Sequence, residues 1–236
     1  MSIIADNLQA VNERIADAAH AVSRDPYEVV LLAVSKTFGA DAVLEAARAG
    51  QRAFGENYVQ EALNKMHDVQ ALLPDAGLEW HFIGPIQSNK TKQIAEHFAW
   101  VHAIDREKIA QRLSDQRPAH LPPLNVCVQV NVSGEASKSG ASFDEAVPIA
   151  HAVARMPRLS LRGLMAIPEP TADVERQRAA FRRLRELRDE LNAQGLKLDT
   201  LSMGMSSDLE AAVAEGATIV RIGTAIFGQR VYTSTS

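Results

Sequence analysis

The stretch Val29-Val30-Leu31-Leu32-Ala33-Val34-Ser35-Lys36 decides the fold. Six apolar residues run without alternation. Such a run fits a strand buried on both faces, as in a parallel sheet covered by helices. It ends at once in a charged amine. Burying an unpartnered ammonium is costly, so a lysine here has two readings. It can snorkel to solvent from the strand end. Alternatively, it can reach into a pocket, where desolvation favours the neutral amine that attacks aldehydes.

Outward from this run, strand-like and helix-like segments alternate along the chain. Ile4, Leu8, Val11, Ile15 and Ala18 recur at helical spacing and predict a helix over 2–22. Strands are predicted at 29–34, 52–55, 80–83, 100–104, 126–132, 159–167, 200–205 and 219–226. Helices are predicted between them at 41–49, 59–73, 90–98, 106–116, 143–156, 173–194 and 208–215. Gly50, Pro74, Gly195 and Gly216 stand where helices stop. Eight strand–helix units predict an α/β fold, a single (β/α)₈ barrel over residues 1–236 with an extra N-terminal helix. A doubly wound open sheet shares the alternation, but no G-x-G-x-x-G follows the first strand.

Composition narrows the function classes. The chain has 236 residues, 46% of them hydrophobic, and a formal net charge of -4. No basic footprint for nucleic acid is visible. The only cysteine, Cys127, excludes an intramolecular disulfide and lies in an apolar run as a structural thiol. The N-terminus lacks a signal-peptide layout, and no apolar stretch is long enough to span a bilayer. A cytoplasmic, soluble protein is expected. Arg176, Arg178, Arg182, Arg183, Arg185 and Arg188 alternate with acidic residues, which predicts a solvated helix face with i,i+4 pairs.

In an α/β barrel, chemistry sits at the carboxyl ends of the strands. Those ends carry Ser35 and Lys36, Asn57 and Tyr58, Asn131, Met203 to Asp208, and Arg221 to Thr224. Ser206 and Ser207 precede the helix expected near Asp208, where a serine cap leaves backbone N–H groups to face an anion. Gly223 allows close backbone approach, and Thr224 adds a hydroxyl. Together these predict a phosphate site after strands seven and eight. A phosphate site facing a strand-end lysine suggests a phosphorylated aldehyde held as a Schiff base, with pyridoxal 5′-phosphate (PLP) the candidate. Arg221 would approach the ring nitrogen. Asn57 would contact the ring oxygen, the Schiff-base side, or only its own turn. His81 reads as a core histidine or a pocket wall. No metal-ligand spacing and no G-x-S-x-G elbow occur.

The segments LLAVSKT (31–37), FGENYVQE (54–61), LEWHFIGPIQSNK (78–90), LRGLMAI (161–167), LSMGMSSDLEAAV (201–213) and VRIGTAIFG (220–228) carry a family likeness. In them the chain resembles the pyridoxal phosphate homeostasis protein family (YggS/PROSC type), related to the N-terminal barrel of alanine racemase. The resemblance implies a monomeric PLP-binding barrel acting in PLP homeostasis and supply, with apo PLP-dependent enzymes as partners and no established catalysis. It implies Lys36 as the Schiff-base lysine. It also implies Ser206, Gly223 and Thr224 as phosphate ligands, Arg221 at the pyridine nitrogen, Asn57 in the site, and Lys138 as a surface or PLP-transfer lysine. An amino-acid racemase is the alternative, as is a Schiff-base aldolase acting on a phosphorylated sugar. Racemisation needs a second base, which alanine racemase takes as a tyrosine from a second domain. With the chain ending at Ser236, that domain is expected to be absent. Of Tyr27, Tyr58 and Tyr232, only Tyr58 lies near a strand end.

Overall fold

The structure is a computed structural model that describes residues 2–133 and 139–229. Helix α1 (Ile3–His20) comes first. Then follow β1 (Val30–Val34), α2 (Ala40–Arg48), β2 (Ala53–Glu56), α3 (Val59–Leu72), β3 (Glu79–Phe82) and α4 (Thr91–His97). Next are β4 (Trp100–Ile104), α5 (Glu107–Gln116), β5 (Leu124–Gln129), α6 (Phe143–Val153) and β6 (Leu159–Met165). The last are α7 (Val174–Ala193), β7 (Thr200–Ser202), α8 (Leu209–Ala214), β8 (Ile219–Ile222) and α9 (Thr224–Phe227). The eight parallel strands close into a barrel in sequence order, with β8 pairing back onto β1. This is the (β/α)₈ architecture that the apolar runs predict. Among the described residues no helix is long and apolar enough to cross a membrane.

Four strand ends stop two or more residues short of expectation: β5 ends at Gln129 rather than 132, β6 at Met165 rather than 167, and β7 and β8 end early where the phosphate loops are expected. The run from Ile219 to Ile226 does not stay extended. β8 stops at Ile222, and the carbonyl of Gly223 accepts from the N–H groups of Ile226 and Phe227, starting the short α9. A short apolar run has no period that separates strand from helix. β7 stops at Ser202 because Gly204 turns the chain at φ +98°, where its missing Cβ also avoids Ala212.

α1 is part of the scaffold. Its buried stripe of Leu8, Val11, Ile15, Ala18 and Ala19 faces the barrel's outer layer. Asn7 Nδ2 donates to the carbonyl of Ile226 at 2.9 Å. Arg14 Nη1 donates to the carbonyl of Ser206 at 2.9 Å, while its other nitrogens hold Glu210 at 2.6 and 2.7 Å. The helix therefore fixes the loops after β7 and β8. The arginines of α7 are solvated, but they pair differently from the predicted i,i+4 pattern. Arg178, Arg182 and Arg185 converge on Glu215 at the end of α8, at 2.9, 3.0 and 3.3 Å. Burial would raise the Glu215 carboxyl, yet its bonds to Arg182 and Arg178 outweigh that and hold it below the usual carboxylate range.

A buried ionic staple joins β1, β2 and α3. Val59, Ala62, Lys65 and Val69 form the buried stripe of α3, so Lys65 is a cation on an apolar face. Its Nζ reaches the carbonyl of Ser35 at 2.8 Å, Glu56 Oε1 at 2.6 Å and Glu61 Oε1 at 3.2 Å. Ser35 Oγ donates to the same Glu56 oxygen at 2.6 Å. Desolvation pushes the Glu56 carboxyl up, only partly offset by Lys65 and Ser35. Lys65→Met leaves that carboxyl buried without its cation. The expected loss at neutral pH is about 3–5 kcal/mol, or roughly 10 °C of Tm for a chain of this size. The loss should depend on pH with a definite sign. A glutamate whose folded pKa lies above its unfolded value stabilises the fold below the unfolded pKa, and that contribution disappears as pH rises through the folded one. In thermal melts the gap between variant and wild type should therefore narrow in acid and widen toward neutral pH. A gap that stays flat across that range would show that Glu56 is not the stranded group.

Candidate functional site

The predicted site residues lie on one continuous arc of the rim. Asn57 follows β2, Lys36 follows β1, Gly223 and Thr224 follow β8, and Ser206 follows β7, while the barrel runs β2-β1-β8-β7. Register sets this alignment. Val34 pairs with Gly55, and Ala33 pairs with Ile222, so Lys36 sits between Asn57 and Gly223. Sequence positions far apart are thus neighbours across two strand pairs.

Lys36 is half-buried, two residues beyond β1, in a turn closed by the N–H of Phe38 donating to the carbonyl of Ser35 at 3.1 Å. Both of its neighbours are clamped from α3. Lys65 holds the Ser35 carbonyl, and Glu61 Oε1 accepts the N–H of Thr37 at 2.6 Å. Thr37 lies at φ +68°. A β-branched residue is strained in that region and persists only where surrounding bonds over-determine it. The Phe38 ring packs on Phe227 of α9 at 5.2 Å between centroids, which couples this turn to the loop after β8.

The loop after β7 corrects the capping expectation. Asp208, not Ser206, is the N-cap position of α8, and its Oδ1 accepts the N–H of Met205 at 2.6 Å. Burial raises the Asp208 carboxyl despite that bond. Ser206 and Ser207 form the exposed turn ahead of the helix, with their carbonyls held by Arg14 and Gln177. Ser206 therefore stands in the loop after β7, next in barrel order to the loop of Gly223 and Thr224, and not at the cap. A Cβ on Gly223 would come within 3.2 Å of the Val34 carbonyl, so glycine keeps this crossing open.

Arg221 lies inside the barrel below the rim, 5% exposed. Its Nη1 donates to Ser202 Oγ and its Nη2 to the Ala166 carbonyl, both at 2.8 Å. Burial lowers the guanidinium to about 10, while Asp208 acts in the opposite direction. It remains a cation at neutral pH. On the other side of the arc, Asn57 Oδ1 is a buried polar atom without a hydrogen-bond partner among the described residues. A buried amide oxygen without a partner, a fixed buried cation, two loop hydroxyls and a strand-end amine form a set of groups that fits a phosphorylated, nitrogen-containing aromatic aldehyde.

Other expected residues stand elsewhere. His81 is a core histidine, 1% exposed and stacked on Trp100 at 5.3 Å, and does not line the rim. Cys127 is fully buried, its thiol pushed up to about 12 by desolvation, as a structural thiol requires. Tyr58 caps α3 and is 55% exposed. Lys138 and Tyr232 lie outside the described residues. The supporting residues Arg14, Asn7, Glu61 and Lys65 were not anticipated. Only Lys65 carried a local signal, as a lysine on the apolar stripe of a predicted helix.

Comparison with known proteins agrees with this geometry. The family model for the alanine racemase N-terminal domain matches residues 7–231. The pyridoxal phosphate homeostasis protein of Pseudomonas aeruginosa is 66% identical over 232 residues, covering 98% of both chains. Its counterpart in Escherichia coli K12 is 56% identical, covering 98% of this chain and 99% of that one. Among solved structures, PipY of Synechococcus elongatus with PLP bound is 37% identical, with a TM-score of 0.83 over 95% of this chain and all of that one. The chain belongs to the alanine racemase N-terminal domain family, within its branch of pyridoxal phosphate homeostasis proteins.

Proposed function

We propose that this chain binds pyridoxal 5′-phosphate at the rim and serves in its homeostasis, holding the cofactor for supply to apo PLP-dependent enzymes. The observation that carries this reading is the arc Asn57, Lys36, Gly223–Thr224 and Ser206 above the buried Arg221. Names of relatives matched over nearly their whole length support it, as does the PLP-bound PipY structure. When bound, the cofactor supplies an aldehyde for an amine and a ring that withdraws electrons from the attached carbon.

Each residue then has a role. Lys36 would supply the amine that holds the aldehyde, in a turn clamped on both sides from α3. Ser206 and Thr224 offer hydroxyls to the phosphate, and Gly223 lets the backbone approach it. Asn57 presents its amide to the ring oxygen. Arg221 would face the ring nitrogen as a cation that keeps its proton at neutral pH. Such a cation disfavours protonation of the ring nitrogen and weakens electron withdrawal. The site therefore suits holding over turnover. Racemisation would need a second base opposite Lys36. Tyr58 is the rim tyrosine among the described residues, and it is solvent-exposed at the start of α3.

Purified protein reconstituted with PLP should show a visible absorbance band and, after borohydride, a mass increment on Lys36. Lys36→Ala should lose both. A protein that stays colourless with PLP would sink the reading. Thr224→Val and Ser206→Ala should each weaken PLP binding about tenfold, by loss of a hydrogen bond to a charged group, while Lys36 still reacts. Arg14→Ala acts one step back, on the Ser206 loop. It should raise the PLP Kd by a few fold in equilibrium titration and leave the band position unchanged. Exchange of the α-hydrogen of alanine for deuterium by the holoprotein would instead favour a racemase.

A further inference from the structure

Five side chains from four strands form one hydrogen-bonded line through the barrel interior. Arg221 Nη1 donates to Ser202 Oγ at 2.8 Å, and Ser202 Oγ lies 2.7 Å from His102 Nδ1. His102 Nε2 is 2.9 Å from His81 Nδ1, and His81 Nε2 is 2.8 Å from Glu79 Oε1. Ser202 and His102 are fully buried, and His81 is nearly so. Glu79 opens β3 at the opposite pole, where its side chain is 48% exposed. The line therefore runs from the rim to the base.

The proton positions are determined by the ends. Glu79 is held ionised, below the usual range, chiefly by its hydrogen bond from His81 with smaller help from Trp100 and Arg162. A carboxylate only accepts, so His81 carries its proton on Nε2. Burial keeps both rings neutral, despite Glu79 beside His81. His81 Nδ1 is therefore bare and accepts from His102 Nε2–H. His102 Nδ1 is bare in turn and accepts the Ser202 hydroxyl proton. The Ser202 oxygen accepts from Arg221, which has only donors. All four bonds point the same way, from a cation at the rim to an anion at the base. The base end is itself fixed: Arg162 lies over the Trp100 ring at 5.0 Å and holds Asp199 at 2.7 Å.

We propose that Glu79, His81, His102 and Ser202 are positioning residues for Arg221, forming a directional relay that fixes the guanidinium beneath the cofactor ring and transmits the charge at the base of the barrel to it. This rests on the reading of Arg221 at the ring nitrogen. Three polar side chains placed end to end in a core are costly unless every donor meets an acceptor, and here His81, His102 and Ser202 each do. A line with one polarity also acts on its far end as a dipole, in an interior where charges are poorly screened.

The test uses the full chain reconstituted with PLP. Nitrogen NMR of the histidine side chains should find His81 and His102 as neutral Nε2–H tautomers, and PLP binding should move both sets of resonances. Glu79→Gln keeps an acceptor oxygen for His81 but removes the charge. It should lower the ratio of the visible to the near-ultraviolet cofactor band at fixed pH by about threefold, because the visible band belongs to the protonated chromophore. Tm should hardly change, which separates transmission from a structural role. Ser202→Ala, cut beside Arg221, should change the band ratio more than Glu79→Gln does. If Arg221→Gln alters the spectrum while Glu79→Gln and Ser202→Ala leave it unchanged, the relay is wrong and the placement of Arg221 stands. If Arg221→Gln changes nothing, that placement fails and the relay falls with it. Either histidine found as the Nδ1–H tautomer also overturns the proposal.

Discussion

Pairing of β8 with β1 is the constraint on which the rest depends. Four residue pairs, from Val30 with Ile219 to Ala33 with Ile222, join the last strand to the first. Without them a parallel sheet would expose two unpaired edges. They also create the site, because Lys36 and the Gly223–Thr224 loop are adjacent only once the sheet has closed. The margin is narrow. A side chain on Gly223 would press on the carbonyl of Val34, two residues before Lys36. The site is thus a consequence of closure, and α1 reinforces it from outside by holding the carbonyls of Ser206 and Ile226.

The same barrel carries an unusual load of buried charge, and in each case partners balance most of it. Glu215 meets three arginines, Lys65 meets two carboxylates and a carbonyl, and Arg221 meets a hydroxyl and a carbonyl. Replacing such groups with apolar residues often leaves stability unchanged or raises it, so stability alone does not explain them. Their placement does. The Lys65 staple sits directly behind the Lys36 turn, and Arg221 sits directly below the rim. The strained Thr37 lies between bonds from the same helix. Polar interactions here hold functional atoms in position, while the surrounding apolar layers supply the folding energy.

The fold was largely legible because strands buried on both faces must read as apolar runs, and eight of them in alternation leave few architectures. The position of Lys36 at a strand end was legible because the apolar run stops there, but that position alone leaves a snorkelling lysine as an equal reading. The place of Gly223 and Thr224 after the last strand was legible, since the apolar run leads directly into them. The loop geometry was less so. Ser206 looked like a cap, yet Asp208 stands at that position, because both residues suit a helix start and only the backbone decides between them. β8 was drawn four residues too long, since Ile222 to Ile226 has no period to betray the turn at Gly223. Glu79, His81, His102 and Ser202 were invisible as a group. Glu79 and His81 share one face of β3 by their spacing, but His102 and Ser202 join them through barrel register rather than spacing along the chain.

Under the proposed binding mode, the identity of the cation at the ring nitrogen limits what the site can do. A carboxylate there would keep the ring nitrogen protonated and strengthen the ring's pull on electrons. A guanidinium has no lone pair to share and holds its own proton, and burial lowers Arg221 only to about 10, still well above neutrality. Such a donor would anchor the ring without activating it. In the proposed binding mode Lys36 would hold the aldehyde, the rim loops the phosphate and Arg221 the nitrogen, three points that would fix the ring in place. Nothing in that arrangement requires a carbanion to form. A site that binds at three points while restraining the ring's reactivity is suited to keeping a reactive aldehyde out of solution until another protein takes it.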